Sequence, residues 1–397
     1  PFALRSFKEG EPPGNATGAH VSYAGLPSDV RVGDRVLLAD GAAELRVVRV
    51  SDDVETEVVR GGTVRSRTGV AIPADRLSSP ALTPKDRADL PVAIELGADF
   101  VGQSFVRGPE DILALRALLG PTGPHIVAKI ETRPAVESFD AILDVVDAVM
   151  VARGDLGVEM PYEEVPLIQK ELVRRALDRG VPSIVATQML ESMITSPRPT
   201  RAEASDVANA VFDGADAIML SAETAIGANP VLAAEAATRI ALSCEAAGAS
   251  HLPVGMTPSR ATDVGALAYA AAALVKADPS VEAIVCYTRT GRTARILSAL
   301  RPGVPILAFS PGPHVAARLA LAYGVFARTC APLEGSSDRL GGLESLLHES
   351  RVLPAGASVV FVTSAGSPGS APDALAVRRV AGGLDPHATD LESDKEI

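Results

Sequence analysis

Several residue types are scarce in this sequence, and each scarcity excludes a class of protein. The 397 residues contain no tryptophan, 4% aromatic residues and three cysteines. Cys244, Cys286 and Cys330 lie far apart and form no CxxC pair, so the sequence predicts neither a disulfide framework nor a structural zinc site. Such cysteine usage is typical of a reducing compartment and predicts a cytoplasmic protein.

Positive charge and long apolar runs are scarce as well. Lysine and arginine total 37 against 49 aspartates and glutamates, which gives a formal net charge of -12, and no segment concentrates basic residues. This balance argues against a surface that neutralises nucleic-acid phosphates. No run of ~18 apolar residues is available to cross a bilayer. We therefore expect neither a nucleic-acid nor a membrane partner.

The apolar residues that are present are enough for two or three domains, because 47% of the chain is hydrophobic and 22% is charged. Residues 1–80 contain short alternating runs at 35–38, 44–50 and 55–60, separated by glycine, aspartate and proline. This pattern predicts a small antiparallel β domain.

The rhythm changes over residues 81–256, where apolar strands alternate with amphipathic helical stretches about every 30 residues. Such units form either a doubly wound sheet or a barrel. Polar residues at the carboxyl ends of nearly all of these strands favour an α/β fold of the (β/α)8 TIM-type barrel class. Only about five of the eight strands are present, so we expect an incomplete barrel. The predicted strands lie near 99–105, 125–130, 148–152, 183–187 and 217–221.

A third region, residues 257–384, predicts a separate C-terminal α/β domain. It opens with an alanine-rich helix at 261–276 and continues through strands at 283–287, 305–309 and 358–363. Residues 385–397 are polar and acid-rich, and we expect this tail to be disordered.

Two charged residues in one strand are the first candidates for chemistry. Lys129 and Glu131 are two positions apart, so the alternation of a strand places both side chains on one face. A structural buried ion pair explains them equally well when they are taken alone. The next strand ends in Arg153-Gly154-Asp155, where glycine lets main-chain N–H groups approach a substrate carboxylate or phosphate. Alone, that string is most often a turn.

Glu131 and Asp155 together predict a metal site, because two carboxylates on adjacent strands suit Mg2+, or Mn2+ in its place. None of the six histidines lies in these motifs, which disfavours zinc and iron. Thr187 and Ser221 end the next two strands, where a hydroxyl alone is usually a backbone cap. One cation, two carboxylates, hydroxyls and exposed backbone together match phosphoryl transfer.

The segment after Thr187 contains a helix start. Thr200 and Glu203 have capping-box spacing, so the sequence predicts a helix from Thr200. The neighbouring Arg198, Arg201 and Asp206 exceed what a cap requires, and they predict a contact with either a second subunit or the active site.

Four strings resemble the pyruvate kinase family in order and spacing: DFVGQSFVR, AKIET, VARGDLGVEMP and the long string from Ala186 to Gly227. Residues 31–50 resemble that family's inserted β-barrel lid, and residues 258–382 resemble its effector-binding domain. The resemblance implies transfer of phosphate from phosphoenolpyruvate to ADP, which gives pyruvate and ATP as the last step of glycolysis. It also implies a homotetramer that requires Mg2+ and K+, with the K+ ligands outside this chain.

The resemblance assigns roles residue by residue. It implies that Lys129 stabilises the transferred phosphoryl group and that Glu131 and Asp155 hold the metal. Arg153, Gly154 and Asp155 are implied to bind the substrate carboxylate through the main chain, and Thr187 to stand by its methylene carbon. Further implied roles concern a proton relay, the nucleotide and an effector loop: Ser221 and Glu223 for the relay, Asp40 for the nucleotide, and Thr288, Thr290, Gly291, Arg292 and Thr293 for the loop.

Departures from the family keep a second hypothesis open. Thr68-Gly69-Val70-Ala71 replaces the usual Lys-Gly-Val-Asn, and Ser370-Ala371-Pro372-Asp373 replaces a Gly-Thr-Thr-Asn signature. The alternative is a truncated, diverged relative that binds a phosphorylated ligand or a partner subunit without turnover. A metal-dependent lyase of a related barrel is a third reading, which the string from Ala186 to Gly227 disfavours. From the 397 residues alone we expect little or no activity.

Overall fold

The computed structural model describes residues 1–7, 14–39, 41–249, 263–333, 339–363 and 373–380. They form two compact units. The first comprises the described residues of Pro1–Leu177 and Ser183–Cys244, and the second those of Asp178–Pro182 and Glu245–Ile397. The predicted boundary at 256/257 and the predicted tail at 385–397 lie outside the described residues. The predicted boundary at 80/81 falls inside the first unit and stays a prediction.

The first sheet contains six strands near the start of the chain. In chain order they are β1 (Phe2–Ser6), β2 (Gly18–Val21), β3 (Arg35–Leu38), β4 (Ala43–Val50), β5 (Val54–Arg60) and β6 (Val70–Ala71), with the short helix α1 (Leu26–Asp29) after β2 and a 3-10 turn at Ala74–Arg76 after β6. The spatial order is β2-β1-β5-β4-β3-β6. The predicted antiparallel pairing is confirmed for β3, β4 and β5, whereas β1 and β2 pair in parallel. Leu4, Val36, Leu45 and Val54 are buried in its core.

The second sheet contains the five strands predicted for the barrel region. They are β7 (Phe100–Gln103), β8 (His125–Ile130), β9 (Ala148–Ala152), β10 (Ser183–Ala186) and β11 (Ala217–Met219). All are parallel, and their spatial order follows the chain order. Ile126, Ala128 and Ile130 on one face are fully buried, whereas Lys129 on the other face is only part-buried.

Helices connect these strands in the repeating pattern that the sequence predicts. They are α2 (Pro84–Glu95), α3 (Pro109–Leu119), α4 (Arg133–Glu137), α5 (Phe139–Leu143), α6 (Arg153–Glu159), α7 (Val165–Arg179), α8 (Arg201–Asp213), α9 (Ala222–Ala225) and α10 (Pro230–Cys244), with a 3-10 turn at Glu191–Ile194. The predicted cap of α8 is confirmed: the Thr200 side chain accepts from the Glu203 N–H, and the Glu203 carboxylate accepts in return from the Thr200 N–H. Gly214 ends α8 in the left-handed conformation (φ 92°).

The third sheet lies in the second unit. Its strands are β12 (Val281–Tyr287), β13 (Ile306–Ser310), β14 (Val325–Thr329), β15 (Ser358–Thr363) and β16 (Ala374–Arg379), and its helices are α11 (Asp263–Ala277), α12 (Arg292–Ala299), α13 (Pro313–Leu319) and α14 (Arg339–Ser350), preceded by a π-helical turn at Glu245–Ala249. The order is β14-β13-β12-β15-β16, with only β16 antiparallel to its neighbour. Alternate residues of β12 enter two separate apolar clusters, so both faces of this sheet are covered.

Among the described residues, no helix combines the length and the apolar character needed to cross a bilayer.

Candidate active site

The strand register of the second sheet brings its polar carboxyl ends to one edge. Gln103 pairs with Ala128, Ile130 with Val151, and Ala152 with Ala186. Residues that follow these pairs therefore stand side by side, as expected for parallel strands. Lys129, Glu131, the start of α6 and the segment after β10 all lie along this edge.

Lys129 and Glu131 form an ion pair on the face of the second sheet opposite Ile126, Ala128 and Ile130. Lys129 Nζ lies 2.6 Å from Glu131 Oε1 and donates to Ser104 Oγ at 2.9 Å. The Phe105 N–H donates to Glu131 Oε2 at 2.7 Å. The Glu131 side chain is fully buried, while 26% of the Lys129 side chain remains exposed. The ion pair that the strand alternation allowed is thus present at the edge of a candidate site.

Burial controls the charge of Glu131. Loss of water raises the pKa of this carboxyl above its ordinary value; the Lys129 ammonium and the Phe105 N–H oppose the rise, and the nearby Asp155 carboxylate adds to it. Glu131 Oε1 accepts no well-aligned hydrogen bond from the described residues. A second cation beside Oε1 would stabilise the ionised form, so this buried acceptor fits a divalent metal ion.

Asp155 is the second carboxylate of the candidate metal site. It lies in the first turn of α6 and lines, with Glu131, a cavity of about 690 Å³ beside the carboxyl ends of β7 and β8. In the described parts of the chain, no cluster of three or more His, Cys, Asp or Glu side chains is placed to hold a metal. Mg2+ commonly uses only one or two protein carboxylates and completes its shell with other oxygens, which agrees with this pair.

The Arg153 side chain makes contacts that sequence reasoning missed. Its guanidinium donates to Asp206 Oδ1 at 2.7 Å and to the Thr187 carbonyl at 2.6 Å, and only 10% of the side chain is exposed. Asp206 therefore contacts Arg153, a residue of the predicted site. The extra charged residues around the α8 cap indicated that such a contact exists, but the sequence could not identify Arg153 as the partner of Asp206.

Thr187 adopts an unusual backbone at the end of β10. Thr187 and Gln188 are consecutive left-handed residues (φ 69° and 54°), a conformation that costs non-glycine residues ~1–2 kcal/mol each. Thr187 Oγ1 accepts from the Gly154 N–H at 2.7 Å and donates to the Ala186 carbonyl at 2.6 Å. The predicted residues Arg153, Gly154 and Thr187 thus contact one another directly.

Glu223 ties two strand ends together. It is 2% exposed, and its two carboxylate oxygens accept from the Leu190 N–H at 3.0 Å and the Ser221 N–H at 2.7 Å. Both hydrogen bonds go to backbone, so Glu223 holds the segment after β10 against the end of β11. Ser221 itself precedes α9, and its side chain makes no capping hydrogen bond there.

The remaining predicted residues are Asp40 and the effector loop. Asp40 is outside the described residues. The predicted effector loop follows β12 in the second unit: Thr288 Oγ1 accepts from the Gly291 N–H at 3.0 Å, Gly291 is left-handed (φ 80°), and Arg292 begins α12. Thr288 and Thr293 are buried, whereas Thr290 and Arg292 are exposed.

Comparison with known proteins gives matches over most of the chain. The family profile described as "Pyruvate kinase, barrel domain" matches residues 8–234, and "Pyruvate kinase, alpha/beta domain" matches residues 265–375. The chain is 40% identical to a pyruvate kinase of Clostridium perfringens over 369 residues, which is 90% of this chain and 76% of the relative. It is 44% identical to that of Bacillus licheniformis, over 83% of this chain but only 57% of the relative.

The fold matches as well. A crystal structure of a pyruvate kinase from Cryptosporidium parvum superposes with a TM-score of 0.84 at 31% identity, covering 96% of this chain and 80% of that one. Profiles, relatives and fold agree on the whole span from the first sheet to the third. The chain therefore belongs to the pyruvate kinase family, phosphotransferases of glycolysis.

Proposed function

We propose that the strand-end cluster of Lys129, Glu131, Asp155 and Thr187 is the catalytic centre for phosphoryl transfer from phosphoenolpyruvate to ADP. The observation that carries this proposal is the Lys129–Glu131 pair, which lies 2.6 Å apart beside a cavity that Asp155 also lines. A cation and two carboxylates at the carboxyl edge of a parallel sheet can bind a metal ion and a transferring phosphoryl group together.

In the reaction, the bond between phosphorus and the enol oxygen breaks, and a new bond forms from phosphorus to a terminal oxygen of ADP. The enolate that leaves takes one proton at its methylene carbon and becomes pyruvate. Negative charge is concentrated on the migrating group, so a fixed ammonium next to it lowers the barrier. Lys129 supplies that charge, because Ser104 and Glu131 hold its ammonium in place.

Glu131 and Asp155 would hold Mg2+ or Mn2+, which when bound supplies further charge stabilisation to phosphate and carboxylate oxygens. The main-chain N–H groups around Arg153–Asp155 would orient the substrate carboxylate. The Gly154 N–H already donates to Thr187 Oγ1, so a substrate that uses it must displace or share that hydrogen bond. K+ is expected from the family, with ligands outside this chain.

We assign the Thr187 hydroxyl a part in delivering the proton to the methylene carbon. Thr187 Oγ1 donates to the Ala186 carbonyl, and a modest rotation about its side chain would free that hydrogen for a bound enolate. Ser221 and Glu223 complete the group at this end of the sheet. The backbone hydrogen bonds of Glu223 favour a supporting role, since both of its oxygens are occupied.

The finer architecture belongs to the same proposal. Five parallel strands in chain order are consistent with part of a (β/α)8 barrel, and the first sheet with an inserted lid over residues 1–80. We assign Asp40 to the nucleotide side of that lid. The loop from Thr288 to Thr293 is a candidate anion site for an effector, and a homotetramer is the expected assembly.

The test is a coupled assay of pyruvate formation from phosphoenolpyruvate and ADP with Mg2+ and K+. It uses the 397-residue chain and an extended protein that begins at the first in-frame methionine upstream. We expect activity in the extended protein, loss of that activity in its Lys129→Ala variant, and little turnover from the 397 residues alone. Absence of activity in the extended protein, with Mn2+ binding retained, would instead support a diverged relative that binds without turnover.

A further inference from the structure

The turn after β7 is a structural feature that the assigned catalytic roles leave unexplained. It begins at Gln103, the last residue of β7, and continues through Ser104 and Phe105, within the DFVGQSFVR string. Gln103 is 3% exposed and donates from Nε2 to the Asp111 carbonyl of α3 at 3.2 Å. The first residue of the turn is therefore fixed to a helix, and the two that follow are directed at the ion pair.

Ser104 stands next to Lys129 because of the strand register. Gln103 pairs with Ala128, so the following position of each strand places Ser104 beside Lys129 with both side chains on the same face. The Ser104 hydroxyl accepts from Lys129 Nζ at 2.9 Å. An ammonium has three N–H groups; Ser104 and Glu131 lie in two directions around it, which leaves one direction for a substrate oxygen.

Phe105 has a strained backbone conformation, and burial of its side chain does not compensate for that strain. It is left-handed (φ 52°) although it is not glycine, and its ring is 56% exposed. Such strain persists only where surrounding contacts enforce it. Here the conformation aims the Phe105 N–H at Glu131 Oε2, 2.7 Å away. One short turn therefore contacts both members of the Lys129–Glu131 pair.

We propose that Ser104 is a positioning residue for this reaction: its hydroxyl fixes the direction of the Lys129 ammonium, while the strained Phe105 backbone fixes Glu131. Ser104 acts through Lys129 and need not touch the substrate. This inference rests on the proposed function of Lys129. A misdirected ammonium would still bind substrate but would stabilise the migrating group less, so the loss falls on kcat more than on KM.

The first test compares Ser104→Ala with Ser104→Thr in the extended protein. We expect kcat to fall about 10-fold in Ser104→Ala with a much smaller change in KM for phosphoenolpyruvate, and to recover in Ser104→Thr, which keeps the hydroxyl. Ser345→Ala removes a hydroxyl from α14, where Ser345 Oγ donates to the Gly341 carbonyl, and serves as the matched control with unchanged kcat. In the Lys129→Ala background, Ser104→Ala should add no further loss.

The second test needs no turnover, so it separates this inference from the proposed function. Lysine acylation followed by mass spectrometry on the 397-residue chain measures the labelling rate of Lys129 against Lys85 and Lys170, whose side chains are 81% and 50% exposed. Ser104→Ala should raise the relative rate at Lys129 several-fold, and Ser104→Thr should not. Unchanged labelling of Lys129 in Ser104→Ala would overturn the inference whether or not the extended protein is active. An inactive extended protein with altered labelling would reject only the proposed function.

Discussion

The second and third sheets each have five strands, yet their carboxyl ends are chemically different. In the second sheet the ends hold Lys129, Glu131 and the Arg153–Asp206 pair, all of them charged. In the third sheet, hydroxyls close local turns at two strand ends, where Thr288 accepts from the Gly291 N–H and Ser310 from the Gly312 N–H, and the arginines that follow β12, Arg289 and Arg292, are exposed. Buried charge is costly unless it is paired. The paired charges at the strand ends of the second sheet are therefore the feature on which the proposed catalytic site rests.

The second and third sheets also differ in the order of their strands. The second sheet follows chain order with all strands parallel, so its polar ends lie along one edge. In the third sheet β12 lies between β13 and β15, where the chain order reverses. Ligands of open α/β sheets bind at such a reversal, and the loop from Thr288 to Thr293 follows β12. This difference favours the second sheet for the proposed catalytic site and the loop after β12 for the proposed effector site.

The largest expected effect is on turnover. In the extended protein, Lys129→Ala should lower kcat by about 100-fold or more, because one preorganised charge near the transferring group is lost. Lys276→Ala, a substitution in the last turn of α11 in the second unit, is the control and should leave kcat unchanged. The coupled pyruvate assay measures both. Equal losses from the two substitutions would erase the distinction between the sheets.

The next effect is on metal binding. Glu131→Gln and Asp155→Asn should each weaken Mn2+ binding to the 397-residue chain by at least 10-fold, since each removes one of two carboxylates. Electron paramagnetic resonance of free Mn2+ reports the affinity. Burial raises the pKa of Glu131, so in the unsubstituted chain affinity should decline, as pH falls, at a higher pH than for an ordinary glutamate. Affinity that is independent of pH down to the ordinary glutamate range would contradict the assignment.

A moderate effect is expected on stability at the start of α8. Burial pushes the pKa of Glu203 up, but hydrogen bonds from Ser192 and Thr200 outweigh it and hold this pKa below the ordinary value. Glu203→Gln should therefore cost about 1–2 kcal/mol near neutral pH. A lowered pKa gives stability that is present above the unfolded value and is lost as pH falls through the folded value. Urea unfolding at pH 7 and pH 3.5 should show the difference shrinking at the lower pH.

The smallest effect is expected in the third sheet. Ser310 is fully buried and its hydroxyl accepts from the Gly312 N–H at 3.3 Å. Ser310→Ala should cost about 1 kcal/mol of unfolding free energy, with kcat and Mn2+ affinity unchanged. Thermal unfolding and the two assays above measure these quantities. A loss of Mn2+ affinity in this variant would show that the strand ends of the two sheets are not functionally separate.

The sequence predicted regular elements better than irregular ones. The five strands of the second sheet and the cap at Thr200 carry strong local signals, and the structure confirms them. β14 and β16 were missed because each is an edge strand with several exposed residues, so neither shows the continuous apolar run of β13 and β15. β1 pairs with β5 across about two thirds of the first region, as in the Phe2–Thr56 pair, a long-range pairing that no local pattern indicates.

The candidate site likewise contains residues that the sequence could predict and contacts that it could not. Its charged residues could be identified because they follow apolar strands, and parallel register brings them together. The Arg153–Asp206 contact and the Ser104–Lys129 hydrogen bond depend on how separate elements approach, which spacing cannot specify. Left-handed Phe105, Thr187 and Gln188 could not be predicted either, because local sterics disfavour that conformation and only the surrounding structure imposes it.

The consecutive left-handed residues after β10 also bear on how this enzyme can be engineered. Glycine at Gln188 would relieve backbone strain in the native state, but it would enlarge the conformational freedom of the denatured chain, so the two effects partly cancel. The Arg153 guanidinium donates to the Thr187 and Gln188 carbonyls. In the glycine variant it would bind a backbone segment with more conformational freedom. Stabilising changes are therefore better sought at positions other than Gln188, because the segment after β10 contacts Arg153 and Gly154 of the proposed site.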